Sequence, residues 1–478
     1  MFCSCAADYQ SAEPNTRVCP VCLALPGALP VVNKQAVEDA MMIGLALNCQ
    51  VAEVTKFDRK NYPYPDLMKG YQISQYDVPL SSRGWLDLPG GDGASPVRVG
   101  INRVHMEEDV ARLIHIAPAE RGGTGHTLMD VNRAGVPLIE VVSEPDMRSS
   151  RQAEQYIATL QQVIRYLGVG TANMEEGSFR CDANVSVRPE GWTKLTTKVE
   201  VKNMNRVKAV TRAIEHEIAR QTKLYQDGGR VVQETRGWDD GRGVTVPQRS
   251  KEEAHDYRYF PEPDIPPLHI SRQWVDAVRA SLPELPGVRR QRFQDEWGLS
   301  AYDAALITMS RATADYFEAV MATVASAAPE SRREFAKETA NWLNGEVARL
   351  LNAAGKDVST SLVKPEQLAD LVERFRRREL NNATAKSVFE EMSRTGQSPD
   401  EIIRRLGLTK LSDTSVLGPI ADQVIAANKG AVADYVSGKD AALRFLIGQV
   451  MKASRGQADP GTAADLLKQR LASLKSGA

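Results

Sequence analysis

The feature that most constrains this chain is a change of character just past its middle. From Val51 to about Ile270 the sequence is rich in Gly, Pro and Asp, with short β-branched runs such as Val97-Arg98-Val99-Gly100-Ile101 and Val185-Ser186-Val187. That pattern predicts strands joined by many loops. Beyond Phe260-Pro261-Glu262-Pro263-Asp264-Ile265-Pro266-Pro267 and the breaker Leu282-Pro283-Glu284-Leu285-Pro286, the composition shifts to Ala, Leu, Arg and Glu with helical periodicity. A sheet-forming part and a helix-forming part are therefore expected, and 478 residues suffice for two to four domains, each with its own core.

Two stretches of the first part keep helical spacing. Ser150 to Leu167 places Ala153, Ile157, Leu160, Val163 and Ile164 close to the i, i+3, i+4, i+7 pattern, and Arg206 to Tyr225 behaves similarly. The first part is thus α+β. A second break is expected from Gly396 to Leu411, after which Leu443, Leu446, Ile447, Val450 and Met451 share a helical face, with Gly456 and Pro460 as stop signals. This predicts a small helical tail. No internal repeat is evident.

Composition narrows the class. With 42% hydrophobic and 25% charged residues, and no run of about 18 apolar residues, nothing indicates a membrane role. Sixty basic residues against sixty-one acidic ones mean that any nucleic-acid binding must come from a local basic face. The start, Met1-Phe2-Cys3-Ser4-Cys5, lacks the basic and apolar regions of a secretory signal. Four of the six cysteines fall in the first 22 residues as two close pairs, which suits metal ligation in a reducing cytosol better than a disulfide framework.

Those pairs, Cys3-Ser4-Cys5 and Cys19-Pro20-Val21-Cys22, are spaced so that four thiolates can close around Zn²⁺, and a closed Cys₄ site holds a fold rather than catalysing. The other reading is four unligated thiols near a frayed end. A second group is acidic: Met106-Glu107-Glu108-Asp109, Leu138-Ile139-Glu140, Ser143-Glu144-Pro145-Asp146 and Met174-Glu175-Glu176. Converging carboxylates hold a hard cation such as Mg²⁺ together with nucleotide phosphates, whereas each glutamate alone reads as a solvated charge. Glu140 follows an apolar Val-Pro-Leu-Ile run, where an inward carboxylate needs a partner.

The third group is basic and aromatic, from Lys56-Phe57-Asp58-Arg59-Lys60-Asn61-Tyr62-Pro63-Tyr64 through Lys69-Gly70-Tyr71-Gln72-Ile73-Ser74-Gln75-Tyr76. Interleaved cations and rings suit single-stranded nucleic-acid ends, and equally a tyrosine-rich turn cluster. The stretch Asp256 to Asp264 reads either as a site wall or as a linker. Neither a P-loop nor a dinucleotide fingerprint is present, nor a nucleophile elbow or a zincin helix. Gly122-Gly123-Thr124-Gly125 is either a phosphate cradle or a flexible loop.

The ordered series Lys-Phe-Asp-Arg-Lys-Asn-Tyr, Tyr-Gln-Ile-Ser-Gln, His-Met-Glu-Glu-Asp, Asp-Val-Asn-Arg-Ala-Gly-Val-Pro-Leu-Ile-Glu, Ser-Glu-Pro-Asp and Met-Glu-Glu-Gly-Ser-Phe-Arg-Cys-Asp-Ala-Asn closely resembles the GatB family, whose members are components of tRNA-dependent amidotransferases. The likeness continues through Glu200-Val201-Lys202-Asn203-Met204-Asn205, Gln233-Glu234-Thr235-Arg236, the Asp256 to Asp264 stretch and Gly448 to Ser454, so it spans nearly the whole chain.

The resemblance implies a mixed-sheet cradle domain over 1–275 with a zinc knuckle at 3–22, a helical domain over 276–405, and a YqeY-like, tRNA-contacting tail over 406–478. It implies ATP-dependent phosphorylation, with Mg²⁺, of Glu or Asp mischarged on tRNA(Gln) or tRNA(Asn). Amidation follows with ammonia from the GatA amidase, GatC completing a cytoplasmic heterotrimer. Carried over by motif, Glu107 and Glu140 match Mg²⁺ ligands; Lys60, Lys69 and Glu108 match residues lining or gating the ammonia route. Cys3, Cys5, Cys19 and Cys22 match the zinc knuckle, and Arg180, Asp182, Asn184 and Lys202 face the nucleotide or acyl-phosphate region. The family usually opens with an Ile-Gly-Leu-Glu-Val-His strand that supplies two more metal-site residues; it is absent here, so weak Mg²⁺ binding is expected, with restored activation if the strand were added. That departure leaves a second reading, a non-catalytic tRNA-binding scaffold that has lost the kinase metal site. A glutamine-hydrolysing amidase fits less well, since no Ser-rich nucleophile motif is found.

Overall fold

A computed structural model describes residues 1–90, 96–116, 125–250, 257–408, 414–454, 458 and 460–475. Gly122 to Thr124, Asp256, Leu411 and Gly456, singled out above, lie outside them. The chain divides into two compact units, Met1–Leu285 and Pro286–Ala478. The first is α+β and the second is helical throughout its described elements.

The first unit is built on a sheet of seven described strands. Its order is Gln50–Val51, Ser81–Leu88, Val97–Glu108, Tyr71–Ser74, Asp58–Asn61 and Phe260–Pro261, with Pro137–Ser143 also pairing with Val97–Glu108. All of these pairings are antiparallel. The long strand Val97–Glu108 carries β-branched residues at alternating positions, as a pleated strand with one buried face requires. Its parity changes partway. Val99 and Ile101 are buried, but so are Val104 and Met106, because the register against Pro137–Ser143 slips between Ile101 and Arg103. A bulge there leaves Asn102 outside the ladder, its side chain donating to Glu144 Oε1 at 2.8 Å. Beyond it, odd-numbered residues face away from the apolar core.

Helix Lys34–Ala46 lies against this sheet and buries residues on nearly all sides, among them Val37, Ala40, Met41 and Leu45. It follows Asn33, whose side chain caps the amide of Ala36. Where the chain leaves the helix, Gly84 permits close approach: a Cβ there would sit 2.4 Å from Leu47 O. A second, four-stranded sheet runs Ala183–Val185, Val199–Lys202, Glu234–Asp239, Val244–Ser250, with a parallel pairing between the middle two. Helix Val207–Gln226 covers it, helix Ser150–Leu167 packs on that helix and on strand Ser81–Leu88, and the apolar stripes of both join its buried valines in one cluster. The first helix has the bounds its periodicity predicts. The Val185 to Val187 run contributes only its first residue to a strand.

The second unit contains two clusters. One joins Phe293 to Ile403, with Phe293, Trp297 and Phe317 packed ring against ring; the other, from Leu417 to Leu471, includes Leu446 and Val450. Two local expectations change. The Gly396 to Leu411 break contains helix Pro399–Leu406, started by a Ser398–Glu401 capping box. Pro460 opens helix Pro460–Lys475 instead of stopping the one before it, because proline at a first helical position loses no hydrogen bond.

Candidate functional site

Glu107 and Glu108 are consecutive on one strand, so their side chains leave opposite faces of the sheet. Two separate polar groups result, one on each face.

On the face set by the bulge, His105 lies opposite Glu140 and Glu107 lies opposite Ser74. One ligand atom from each of His105, Glu107 and Glu140 falls within 4.8 Å of the others. His105 Nε2 is 3.4 Å from Glu140 Oε2, and Ser74 donates to Glu107 Oε2 at 3.2 Å. The hydrogen bond with His105 holds the Glu140 carboxyl down at about 2 against the pull of burial, with Arg103 and Lys60 adding positive charge. Glu107 behaves oppositely: burial pushes its carboxyl up, Glu140 adds to the rise, and Lys60 opposes it. Two carboxylates and an imidazole converge within one ligand sphere, and carboxylate oxygens together with phosphate oxygens are the donors that a hard divalent cation takes. The three residues therefore fit Mg²⁺.

Lys60 stands on the same face, and its ammonium lies 5.6 Å from the ring of Tyr62 and 5.0 Å from that of Tyr257. Tyr257 and Tyr259 are edge to face, and Tyr259 stacks on Tyr76 at 4.2 Å with the planes 7° apart. None of these four rings joins the hydrophobic cores.

On the other face Lys69 Nζ binds both oxygens of Glu108, at 2.7 and 2.8 Å, and Glu108 Oε1 accepts the Ile73 amide at 2.8 Å. This pair borders a cavity of about 250 Å³ lined also by Cys3, Cys22, Asp66, Asp109 and Gly135. The four N-terminal cysteines meet beside it. Cys22 Sγ is 3.6, 3.7 and 3.9 Å from the sulfurs of Cys3, Cys19 and Cys5. Four sulfurs about 2.3 Å from a tetrahedral zinc ion lie about 3.8 Å apart, whereas a disulfide closes to about 2.05 Å. The spacing fits zinc. Burial pushes the Cys22 thiol up to about 11, while at Cys19 the Cys22 and Val21 amides overcome burial and hold the thiol at about 7.

The remaining expected residues lie elsewhere in the unit. Arg180 donates to both oxygens of Asp109, at 2.9 and 3.1 Å. Lys202 binds Asp182 at 2.7 Å on the second sheet, and Asn184 on the adjoining strand is exposed opposite Glu200. Glu144 and Asp146 bond to Asn102 and the Gly100 amide, and so fasten the bulged strand rather than join the trio. Among the described residues, His105 is the ligand-bearing side chain that sequence reasoning missed. Its spacing of two from Glu107 on an apolar strand was the available signal.

Residues 1–276 match the family profile of the GatB/GatE catalytic domain, and residues 315–471 match that of the GatB domain. The chain is 54% identical over 473 residues to the B subunit of the aspartyl/glutamyl-tRNA(Asn/Gln) amidotransferase of Dehalococcoides mccartyi, covering 98% of this chain and 95% of that one. It is 52% identical over 470 residues to the protein of that name from Moorella thermoacetica (98% and 96%), and 49% over 476 residues to that from Carboxydothermus hydrogenoformans (99% and 96%). With profiles and relatives of one kind along almost its full length, the chain belongs to the GatB family.

Proposed function

We propose that this protein is the GatB component of an aspartyl/glutamyl-tRNA(Asn/Gln) amidotransferase, activating the side-chain carboxyl of Glu or Asp carried on tRNA(Gln) or tRNA(Asn). The observation that carries the reading is the meeting of Glu107, Glu140 and His105, from two paired strands, on the face that also presents Lys60. A carboxylate is a poor electrophile with no leaving group, so its oxygen takes the terminal phosphoryl group of ATP, and ammonia then displaces phosphate to give the amide. Glu107 and Glu140 would hold Mg²⁺, with His105 fixing Glu140; when bound, the ion offsets phosphate charge. Lys60 supplies positive charge beside them. On the reverse face, Lys69 and Glu108 border the small cavity and would line the approach of ammonia.

The cysteines Cys3, Cys5, Cys19 and Cys22 would hold a structural Zn²⁺. Arg180, Asp182, Asn184 and Lys202 are assigned to the nucleotide side. A cradle over 1–275, a helical domain over 276–405 and a tRNA-contacting tail over 406–478 make the working division, in a cytoplasmic complex with the amidase GatA and a clasping partner, GatC. Among the described residues, no helix is long and apolar enough to cross a membrane.

The test uses the assembled complex with Glu-tRNA(Gln), ATP and ammonium, which bypasses glutamine hydrolysis. ADP and Gln-tRNA(Gln) are expected together, and Glu107→Gln or Glu140→Gln is expected to cut both by about 100-fold or more, the scale of losing a preorganised charge at a reacting group. Tight tRNA binding with neither product would instead establish a scaffold.

A further inference from the structure

Four tyrosines beside the carboxylates are arranged for something other than packing. Tyr62, Tyr76, Tyr257 and Tyr259 come from three separate segments, yet none enters a core, and Tyr76 keeps 46% of its surface exposed. The chain holds them firmly. The Tyr76 amide donates to Asp58 Oδ2 at 3.2 Å, and Asp58 is buried and paired with Lys56, which also binds Asp77 at 2.6 Å. Between Tyr257 and Tyr259, Arg258 has φ +45, a left-handed conformation uncommon for a long side chain. Asn61 clamps it there by donating to the Arg258 carbonyl at 2.8 Å. Backbone strain held by a dedicated hydrogen bond next to a reactive centre marks a preorganised surface.

We propose that the open face of Tyr76, backed by Tyr259, seats the adenine of the terminal adenosine of the acylated tRNA. Rings in parallel stack present a flat π-surface that a nucleobase extends. The rings stand on the carboxylates' side: Lys60 shares the face of Glu107, its ammonium is 5.0 Å from the ring of Tyr257, and Tyr257 meets Tyr259 edge to face. Lys60, between Tyr62 and Tyr257, offers positive charge beside them. The acceptor is taken over ATP on the assignment proposed above, which gives the nucleotide to Arg180, Asp182, Asn184 and Lys202, residues that pair with Asp109 or lie at the second sheet and leave the stacked rings to another ligand. This inference rests on the amidotransferase reading and adds to it a binding subsite.

The experiment uses the assembled complex fed with ammonium, and compares Tyr76→Ala, Tyr76→Leu and Tyr76→Phe. Alanine and leucine should raise KM for Glu-tRNA(Gln) roughly 10-fold, the usual loss of one stacked base, with KM for ATP within about two-fold of the parent. Phenylalanine, which keeps the ring, should stay within about two-fold of the parent for both substrates. Leucine keeps the apolar contact with Tyr259, so a loss there cannot be assigned to unfolding when its thermal midpoint is unchanged. In parallel, equilibrium binding of deacylated tRNA(Gln) with and without its terminal adenosine is measured. Removing the adenosine should weaken the parent but not Tyr76→Ala. A rise in KM for ATP alone, a leucine variant equal to the parent, or an adenosine effect that persists in Tyr76→Ala would each overturn the proposal. A parent complex that makes no ADP refutes the amidotransferase reading instead, and the binding arm still decides Tyr76.

Discussion

Glu217 shows how a single residue can hold a domain without taking part in chemistry. Its side chain is fully buried beneath the second sheet, and Arg220, Arg236, Thr245 and Gln221 surround it. Burial pushes its carboxyl up, but hydrogen bonds from Arg220, Thr245 and Gln221 more than offset this and hold it below the usual carboxylate range. Because its folded value is depressed, the stability it gives is complete above the ordinary glutamate value of about 4.3, and is lost as pH falls through the depressed one. Glu217→Gln removes the buried one of the two carboxylates that Arg220 and Arg236 share, leaving them Glu234, and should cost about 2 kcal/mol near pH 7, the scale of losing hydrogen bonds to a charged group. Denaturant unfolding of both proteins from pH 7 to pH 3 should show the gap narrowing in acid; a gap independent of pH would refute the account. The same scale exposes what sequence could not reach. The motifs singled out Glu107 and Glu140, but their opposite pKa shifts depend on surroundings that a motif does not spell: burial and Glu140 raise Glu107 against Lys60 and Ser74, while the hydrogen bond with His105 lowers Glu140. His105 alone reads as an ordinary strand residue, and only its partner across the ladder gives it a role.

Among the elements, legibility follows periodicity. Helices Ser150–Leu167 and Val207–Gln226 were visible because each has one apolar stripe, and the helical second unit was visible by composition. Helix Lys34–Ala46 was not, because it is buried on nearly every side and so shows no stripe. The 97–108 strand was seen only as far as Ile101, since its alternation breaks at the bulge. The N-terminal loop is the reverse case: residues 1–33 have no helix or strand, so only cysteine spacing spoke for them. Its order comes from a few bonds, including Val31 to Phe2, Asn33 to Met1 and Arg17 to Asn132, and from whatever joins the sulfurs. On the proposal that the four sulfurs hold zinc, removing the metal should therefore loosen it. Treatment with a thiol-reactive mercurial should release about one zinc ion per chain to a chromophoric indicator, and Cys22→Ser should release little and lower the first unit's thermal midpoint. No metal release from the parent would eliminate the knuckle.

At the scale of the whole molecule, two compact units with separate cores should not melt as one. Calorimetry of the isolated chain is expected to resolve at least two transitions, with Glu217→Gln moving only the one belonging to Met1–Leu285; a single two-state endotherm would contradict this. Within the first unit the cooperative structure is tighter than its scattered motifs suggest, since the group of His105, Glu107 and Glu140 and the Lys69–Glu108 cavity share one strand. Asn102 decides which side each belongs to. Losing that one extra residue would rotate everything after it by half a turn, sending His105 and Glu107 toward the apolar core and Glu108 toward the face of Glu140. Replacement of any one carboxylate disables a single compartment, but a shortened ridge would scramble both at once. The chain's most sensitive coordinate is thus a length, counted in whole residues, that no catalytic motif spells out.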